Sequence, residues 1–247
     1  MRLTSEEQAN LRNNENTATI NLLDHLHELI PSHSNGRVGL VTYQNGIKNH
    51  YEDHFSEMGK TIKGYLKEGV LCIGLYNPSN ASIVADLFRV QCEFLGIRTE
   101  IVRSMRKMFT SITNRLHKIW PCPHWIHLAH SEGGRIVHDT LNGIPLEAQV
   151  FCQNYLIVFT YGSVQPVPKK VAKMTLNTYS KNDIAYRHYG IQCEKNHNYK
   201  IKVVKSLENS FLPILRDHRF LSATYQKALY RNILEVRELL GIYSAKN

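Results

Sequence analysis

The sequence predicts an α/β fold with a mostly parallel central sheet and helices on both of its faces. Two near-continuous apolar runs, residues 70–76 and 155–161, are typical of strands that are covered on both sides in a parallel sheet. Strand-like and helix-like patterns alternate along the chain, without an internal repeat or a low-complexity linker. We therefore expect each strand to be joined to the next by a helix or a long crossover.

The individual elements follow from apolar spacing and from the glycines, prolines and caps that bound them. The predicted strands are 37–43, 70–76, 125–129, 155–161, 174–179 and 199–204. The predicted helices are 20–30, 50–67, 81–94, 99–119, a segment that ends before Gly143, and a segment that Ser222 caps. Residues 1–18, which precede these elements, are predicted to form a loose arm. Residues 19–247 are predicted to form a single domain.

Composition limits the class of protein. Hydrophobic residues make up 43% and charged residues 21% of the 247 residues, which is typical of a globular domain with a sizeable core. The N-terminus is polar and no apolar run is long enough to cross a membrane. These features predict no transmembrane segment, and a protein that is cytoplasmic or exported without a signal peptide. The five cysteines are widely spaced without a C-x-x-C pair, which favours a reducing compartment.

The segment 124–143 has the pattern of a strand, a sharp turn and a helix, with Ser131 in the turn. This is the arrangement of a nucleophile elbow, in which a strained backbone exposes a serine hydroxyl. Ala129 and Gly133 are the small residues that let the strand and the helix pass closely. The alternative is that Ser131 is an ordinary helix N-cap.

A serine nucleophile requires a histidine base, and the histidine requires an acid that fixes its tautomer. In parallel sheets the ligand site lies beyond the carboxyl ends of the strands, and Asp183 follows such an end. His188 is too near Asp183 in the same connection, and His197 precedes the last strand and so falls on the opposite edge. His218 follows the last strand. We therefore predict Ser131, Asp183 and His218 as nucleophile, acid and base.

Backbone N–H groups near Ser131 are candidates for an oxyanion hole. Glu132 would supply one from the start of the helix, and Gly46 or Ile47 the other from the loop after the first strand. The alternative for that loop is a plain Asn-Gly turn. The residues expected to line the same cleft are Asn45, Tyr76, Asn77 and His130.

The formal net charge of +9 is partly due to a cluster of cations in residues 98–118. No nucleic-acid motif accompanies it, so we expect no specific nucleic acid partner. The cluster predicts a solvated helix face, or alternatively a surface that contacts anionic partners. We expect Arg103, Arg106, Lys107 and Arg115 to be exposed, and Ile101, Met105, Phe109 and Ile112 to be buried.

Four closely spaced residues are of types that commonly bind metal ions: Cys122, His124, His127 and His130. His124 and His127 face opposite sides of their strand, so a shared ion is hard to build. We predict neither a metal nor another cofactor.

Five segments, YQNGI, LYNPSN, LAHSEGG, TYSKND and DHRFLSATYQ, together resemble the α/β-hydrolase superfamily. They are most similar to an uncharacterised, lipase-like family of chlamydial, and hence bacterial, proteins, over residues 37–240. The resemblance implies the same nucleophile, acid and base. Ala129 stands where the family has its first glycine, and Gln44-Asn45-Gly46 stands where esterases have an HGGG-type loop.

These observations favour a serine hydrolase that acts on a small acyl ester, a thioester or a lipid through an acyl-enzyme. The alternative is a hydrolase fold that serves as a binding or host-interaction module with an idle site. A weaker alternative is a nucleic-acid or anionic-membrane binder that uses the basic helix at residues 98–118.

Overall fold

Six strands form one sheet in which every neighbouring pair is parallel. The structure is a computed structural model that describes residues 30, 38–44, 59–62, 64–66, 70–75, 100–207, 218 and 222–240. The strands are β1 (Val38–Gln44), β2 (Leu71–Leu75), β3 (His124–His130), β4 (Leu156–Tyr161), β5 (Met174–Ser180) and β6 (Ile201–Val204). Their order is β2-β1-β3-β4-β5-β6.

The burial of each strand follows its position in the sheet. Every residue of β1, β3 and β4 is buried, as expected for apolar strands at the centre of a sheet covered on both faces. The edge strand β6 is only half-buried, and its sequence IKVV is correspondingly more polar. The predicted parallel sheet is confirmed, including all six strands.

Helices cover both faces. They are α1 (Glu100–Leu116), α2 (Glu132–Leu141), α3 (Leu146–Tyr155), α4 (Ile191–Glu194) and α5 (Ala223–Leu239), together with a 3₁₀ turn at Lys169–Val171 and a π-helix at Tyr186–Gly190. One core packs α1, α2 and α3 against Leu40, Trp125 and Val158. The other packs α5 and three residues of a preceding helical segment, Ile62, Tyr65 and Leu66, against Val41, Leu128 and Phe159. Among the described helices, none is both long and apolar enough to cross a membrane.

Two features of the helices differ from the sequence prediction. Helix α3 was not predicted, because its apolar residues do not lie on one side: Leu146 and Val150 are exposed while Phe151 is buried. The predicted arm and the predicted helices at 20–30 and 81–94 lie outside the described residues, apart from Ile30.

Helix α1 turns an apolar face to the core, as predicted, but its cations are not uniformly exposed. Arg103 and Lys107 are exposed, whereas Arg106 and Arg115 are half-buried. Arg106 Nη2 donates to the carbonyl of Asp139 in α2 at 2.6 Å, so its long side chain lies along the helix interface. Ile101 is also only half-buried, because it lies near the first turn of the helix.

Candidate active site

The turn between β3 and α2 has a strained backbone at Ser131. Its φ of 54° and ψ of −122° make it the only non-glycine residue with a positive φ among the residues described. No side-chain cap hydrogen bond accompanies this conformation, so Ser131 does not act as an ordinary N-cap. Such strain persists only where the surroundings hold it, and it presents the hydroxyl at the tip of the turn.

Neighbouring backbone and side chains hold this turn. The Ser131 carbonyl accepts hydrogen bonds from the N–H groups of Gly134 at 3.1 Å and Val164 at 3.3 Å. A Cβ at Gly134 would lie 2.1 Å from Ser163 Oγ, so a glycine is needed for this close approach. Ala129, at the end of β3, is completely buried.

The structure brings Ser131, His218 and Asp183 together in one hydrogen-bonded row. His218 Nε2 lies 2.9 Å from Ser131 Oγ, and His218 Nδ1 lies 2.8 Å from Asp183 Oδ1. Because a carboxylate only accepts, Nδ1 carries the proton, and Nε2 is left to accept from the serine hydroxyl. Asp183 is completely buried, while a quarter of the His218 side chain is exposed, so the row opens to solvent at the histidine.

The other two histidines that follow Asp183 in sequence lie elsewhere. His188 is exposed within the π-helix, and His197 is exposed in the turn before β6. His130 is buried at the end of β3, and its Nε2 donates to the backbone carbonyl of His218. The two rings, of His130 and His218, are 5.1 Å apart, so His130 supports the segment that carries His218.

Two residues beside Asp183 were not predicted to belong to the site. Tyr225, in the first turn of α5, donates its hydroxyl proton to Asp183 Oδ2. Gly162, after β4, has a φ of 54°, and a Cβ there would lie 2.5 Å from the same oxygen. In the sequence, Tyr225 has only the spacing of a core residue and Gly162 only that of a loop glycine, so neither carried a signal.

Asp183 is thus surrounded by donors. Its Oδ1 also accepts the N–H of Ala185 at 2.7 Å, next to the bond with His218. Burial, followed by the charge of Asp183, raises the pKa of Tyr225 well above its usual range, so this tyrosine keeps its proton at physiological pH.

The structure describes only some of the remaining residues that the sequence predicted for the site. Glu132 is the first residue of α2 and is buried, which puts its backbone N–H at the positive end of that helix. Asn45, Gly46, Ile47, Tyr76 and Asn77 lie outside the described residues. The ends of strands β1, β2 and β3 lie side by side, because Gln44 of β1 pairs with Leu75 of β2 and with Ala129 of β3. Strands β1 and β2 therefore end at the edge of the sheet where Ser131 lies.

Within the described part of the chain, no group of three His, Cys, Asp or Glu could hold a metal ion. Burial lowers the pKa of His124 to about 4 and that of His127 to about 3, so both are neutral side chains packed in the sheet. His127 Nδ1 lies 2.7 Å from Thr42 Oγ1 on the neighbouring strand, on the α1 side of the sheet.

Neither a protein-family model nor a curated protein sequence matches this chain. Several solved structures are similar to it. Est1E from Butyrivibrio proteoclasticus has a TM-score of 0.48 at 11% identity, covering 86% of this chain and 92% of that one. Dienelactone hydrolase from Anabaena variabilis has a TM-score of 0.47 at 12% identity, covering 85% and 88%.

A cutinase from Trichoderma reesei, solved with a phosphonate inhibitor, has a TM-score of 0.42 at 15% identity and 90% coverage of both chains. At these identities and TM-scores, the fold assignment rests on the sheet topology described above. The finer resemblance to a chlamydial family stays a prediction.

Proposed function

We propose that this protein is a serine hydrolase that cleaves carboxylic esters or thioesters through an acyl-enzyme. The observation that carries the proposal is the row of contacts from Ser131 Oγ through His218 to the buried Asp183, with Ser131 on a strained turn. A serine hydroxyl bonded to a neutral imidazole, whose other nitrogen faces a carboxylate, is the arrangement that activates serine as a nucleophile.

In the proposed reaction, Ser131 Oγ forms a bond with the acyl carbon while His218 Nε2 takes the hydroxyl proton. Asp183 stabilises the imidazolium that forms. The bond to the leaving alcohol or thiol then breaks, and His218 returns the proton to that group. A water molecule then attacks the acyl carbon of the acyl-enzyme while His218 Nε2 takes a proton from it. The bond between the acyl carbon and Ser131 Oγ breaks, His218 returns the proton to Oγ, and the carboxylic acid is released.

The negative charge that develops on the acyl oxygen during the reaction must be stabilised by backbone N–H donors. The N–H of Glu132 at the start of α2 is the proposed first donor, because the helix dipole there favours negative charge. Gly46 or Ile47, after β1, is the proposed second. The proposed substrates are small acyl esters or lipids. A quarter of the His218 side chain is exposed, so the proposed base is accessible from solvent.

Labelling with a fluorophosphonate probe tests the proposal directly. We expect the native protein to be labelled at Ser131 and to hydrolyse a p-nitrophenyl acyl ester, and Ser131→Ala to lose both properties. Ser111→Ala, which changes a half-buried serine of α1, is the matched control and should label like the native protein. A native protein that neither labels nor turns over would favour the alternative, a hydrolase fold that serves as a binding module.

A further inference from the structure

The hydroxyl of Tyr225 lies between the candidate acid and the end of β5. It accepts the backbone N–H of Ser180 at 3.2 Å, and it contacts Asp183 Oδ2. An amide N–H can only donate, so it occupies the acceptor side of the hydroxyl and leaves the phenolic proton for the carboxylate. The direction of the Tyr225–Asp183 hydrogen bond is therefore determined by Ser180.

Tyr225 is held rigidly in this position. It is completely buried, and its backbone N–H donates to the capping hydroxyl of Ser222 at 3.3 Å. About two turns further along α5, Asn232 donates to the Tyr161 hydroxyl at 3.1 Å and to Thr178 Oγ1 at 3.3 Å. Side chains on a helix anchored to two strands are well suited to fix the orientation of a neighbour.

We propose that Tyr225 is a positioning residue that holds the Asp183 carboxylate so that Oδ1 faces His218, an inference that rests on the proposed serine hydrolase function. The two carboxylate oxygens have separate partners: Oδ1 accepts from His218 and Ala185, and Oδ2 accepts from Tyr225. The bond to Tyr225 opposes rotation of the carboxylate.

Removal of the hydroxyl would leave Oδ2 buried with one donor fewer. The carboxylate would then be free to turn Oδ1 away from His218 Nδ1, and the imidazolium that forms during the reaction would lose part of the charge that stabilises it. Among the described residues, the other titratable groups near these side chains include His130, whose ring is 5.1 Å from His218, Tyr161, whose ring is 5.7 Å from Tyr225, and Tyr179, which interacts electrostatically with Tyr225. All three are unchanged in a Tyr225→Phe variant.

The test compares Tyr225→Phe with Tyr161→Phe. Both tyrosines are completely buried and their rings are 5.7 Å apart, but the Tyr161 hydroxyl is bonded to Asn232 instead of Asp183. For Tyr225→Phe we expect kcat for a p-nitrophenyl ester to fall about 10- to 100-fold, the factor that corresponds to a hydrogen bond to a charged group. We expect KM to change little, and the acid limb of the kcat profile to move to lower pH, because the His218 imidazolium is less stabilised. Tyr161→Phe should keep the native pH profile.

Thermal unfolding of both variants separates a loss of stability from a loss of positioning. A Tyr225→Phe protein that is folded, and whose kcat and pH profile match those of the native protein or of Tyr161→Phe, would overturn the inference. A shift of the acid limb to higher pH would do the same.

A readout without turnover distinguishes this inference from the proposed function. The His218 Nδ1 proton, bonded to a carboxylate, should give a far-downfield proton resonance in the native protein, and this resonance should move in Tyr225→Phe but not in Tyr161→Phe. If the native protein is inactive and the resonance still moves in this way, the proposed function fails and the positioning contact stands. A resonance that is the same in all three proteins overturns the positioning role.

Discussion

Gly162 lies against Asp183, so that a Cβ at position 162 would come within 2.5 Å of Asp183 Oδ2. The same atom would lie 2.9 Å from the Tyr225 hydroxyl and 3.1 Å from His218 Nδ1. The φ of Gly162, at 54°, also belongs to a region that residues with a side chain rarely adopt. A glycine is therefore required here for both space and backbone conformation.

The first prediction follows from this contact. Gly162→Ala should lower the free energy of unfolding by roughly 1–3 kcal/mol, because the backbone is strained and the carboxylate must move. It should also reduce ester turnover. Gly64→Ala is the control, since a Cβ at this exposed helical position meets nothing within 4 Å. Denaturant unfolding and turnover measure both effects, and a fully active Gly162→Ala protein would contradict the proposed placement of the acid.

The second prediction concerns the three residues of the proposed mechanism. Ser131→Ala and His218→Ala should each reduce turnover by roughly three orders of magnitude or more, and the double variant should be little worse than either, because the residues act as a unit. Asp183→Asn should cost less than Ser131→Ala but still remove most activity. Activity that survives Ser131→Ala would refute the mechanism.

The sheet and the row of three residues could be predicted because each depends on a strong local signal. Long apolar runs identify buried parallel strands, and the rule that sites lie beyond the carboxyl ends of strands selects His218 over His188 and His197. The structure places those two histidines at the surface. The catalytic roles themselves stay predictions until they are measured.

The residues that could not be predicted depend on contacts between distant parts of the chain. Tyr225 and Asp183 are 42 positions apart, and only the packing of α5 against the sheet brings them into contact. Gly162 and Arg106 are similar cases, since the first is constrained by Asp183 and the second donates to the end of α2. Helix α3 lacked an apolar stripe, so periodicity could not identify it.

The third prediction concerns stability at acid pH. Burial lowers the pKa of His127 from 6.5 to about 3 in the folded protein. Between these values the unfolded chain binds a proton that the folded protein does not bind, so the free energy of unfolding falls as the pH falls. From pH 7 to pH 5 this one group should lower it by about 2 kcal/mol.

A His127→Gln variant checks this prediction, because glutamine does not titrate. Its free energy of unfolding, measured in urea at the two pH values, should fall by correspondingly less than that of the native protein. His124, whose pKa is about 4, provides a second titrating group that is still present in this variant. Equal falls in the two proteins would show that His127 does not have the lowered pKa.

The last prediction distinguishes the cations of α1 by their contacts. Arg103 and Lys107 are exposed, so replacing both with Glu should change the turnover of a neutral ester by no more than about twofold.

Arg106→Glu is the informative comparison, because it removes the 2.6 Å bond to the Asp139 carbonyl and places a carboxylate beside it. That variant should lose roughly 1–3 kcal/mol of stability. Turnover and denaturant unfolding of both variants measure these effects. A large loss of turnover in the Arg103 and Lys107 double variant, with unfolding unchanged, would show instead that the exposed cations of α1 recruit an anionic substrate to the site.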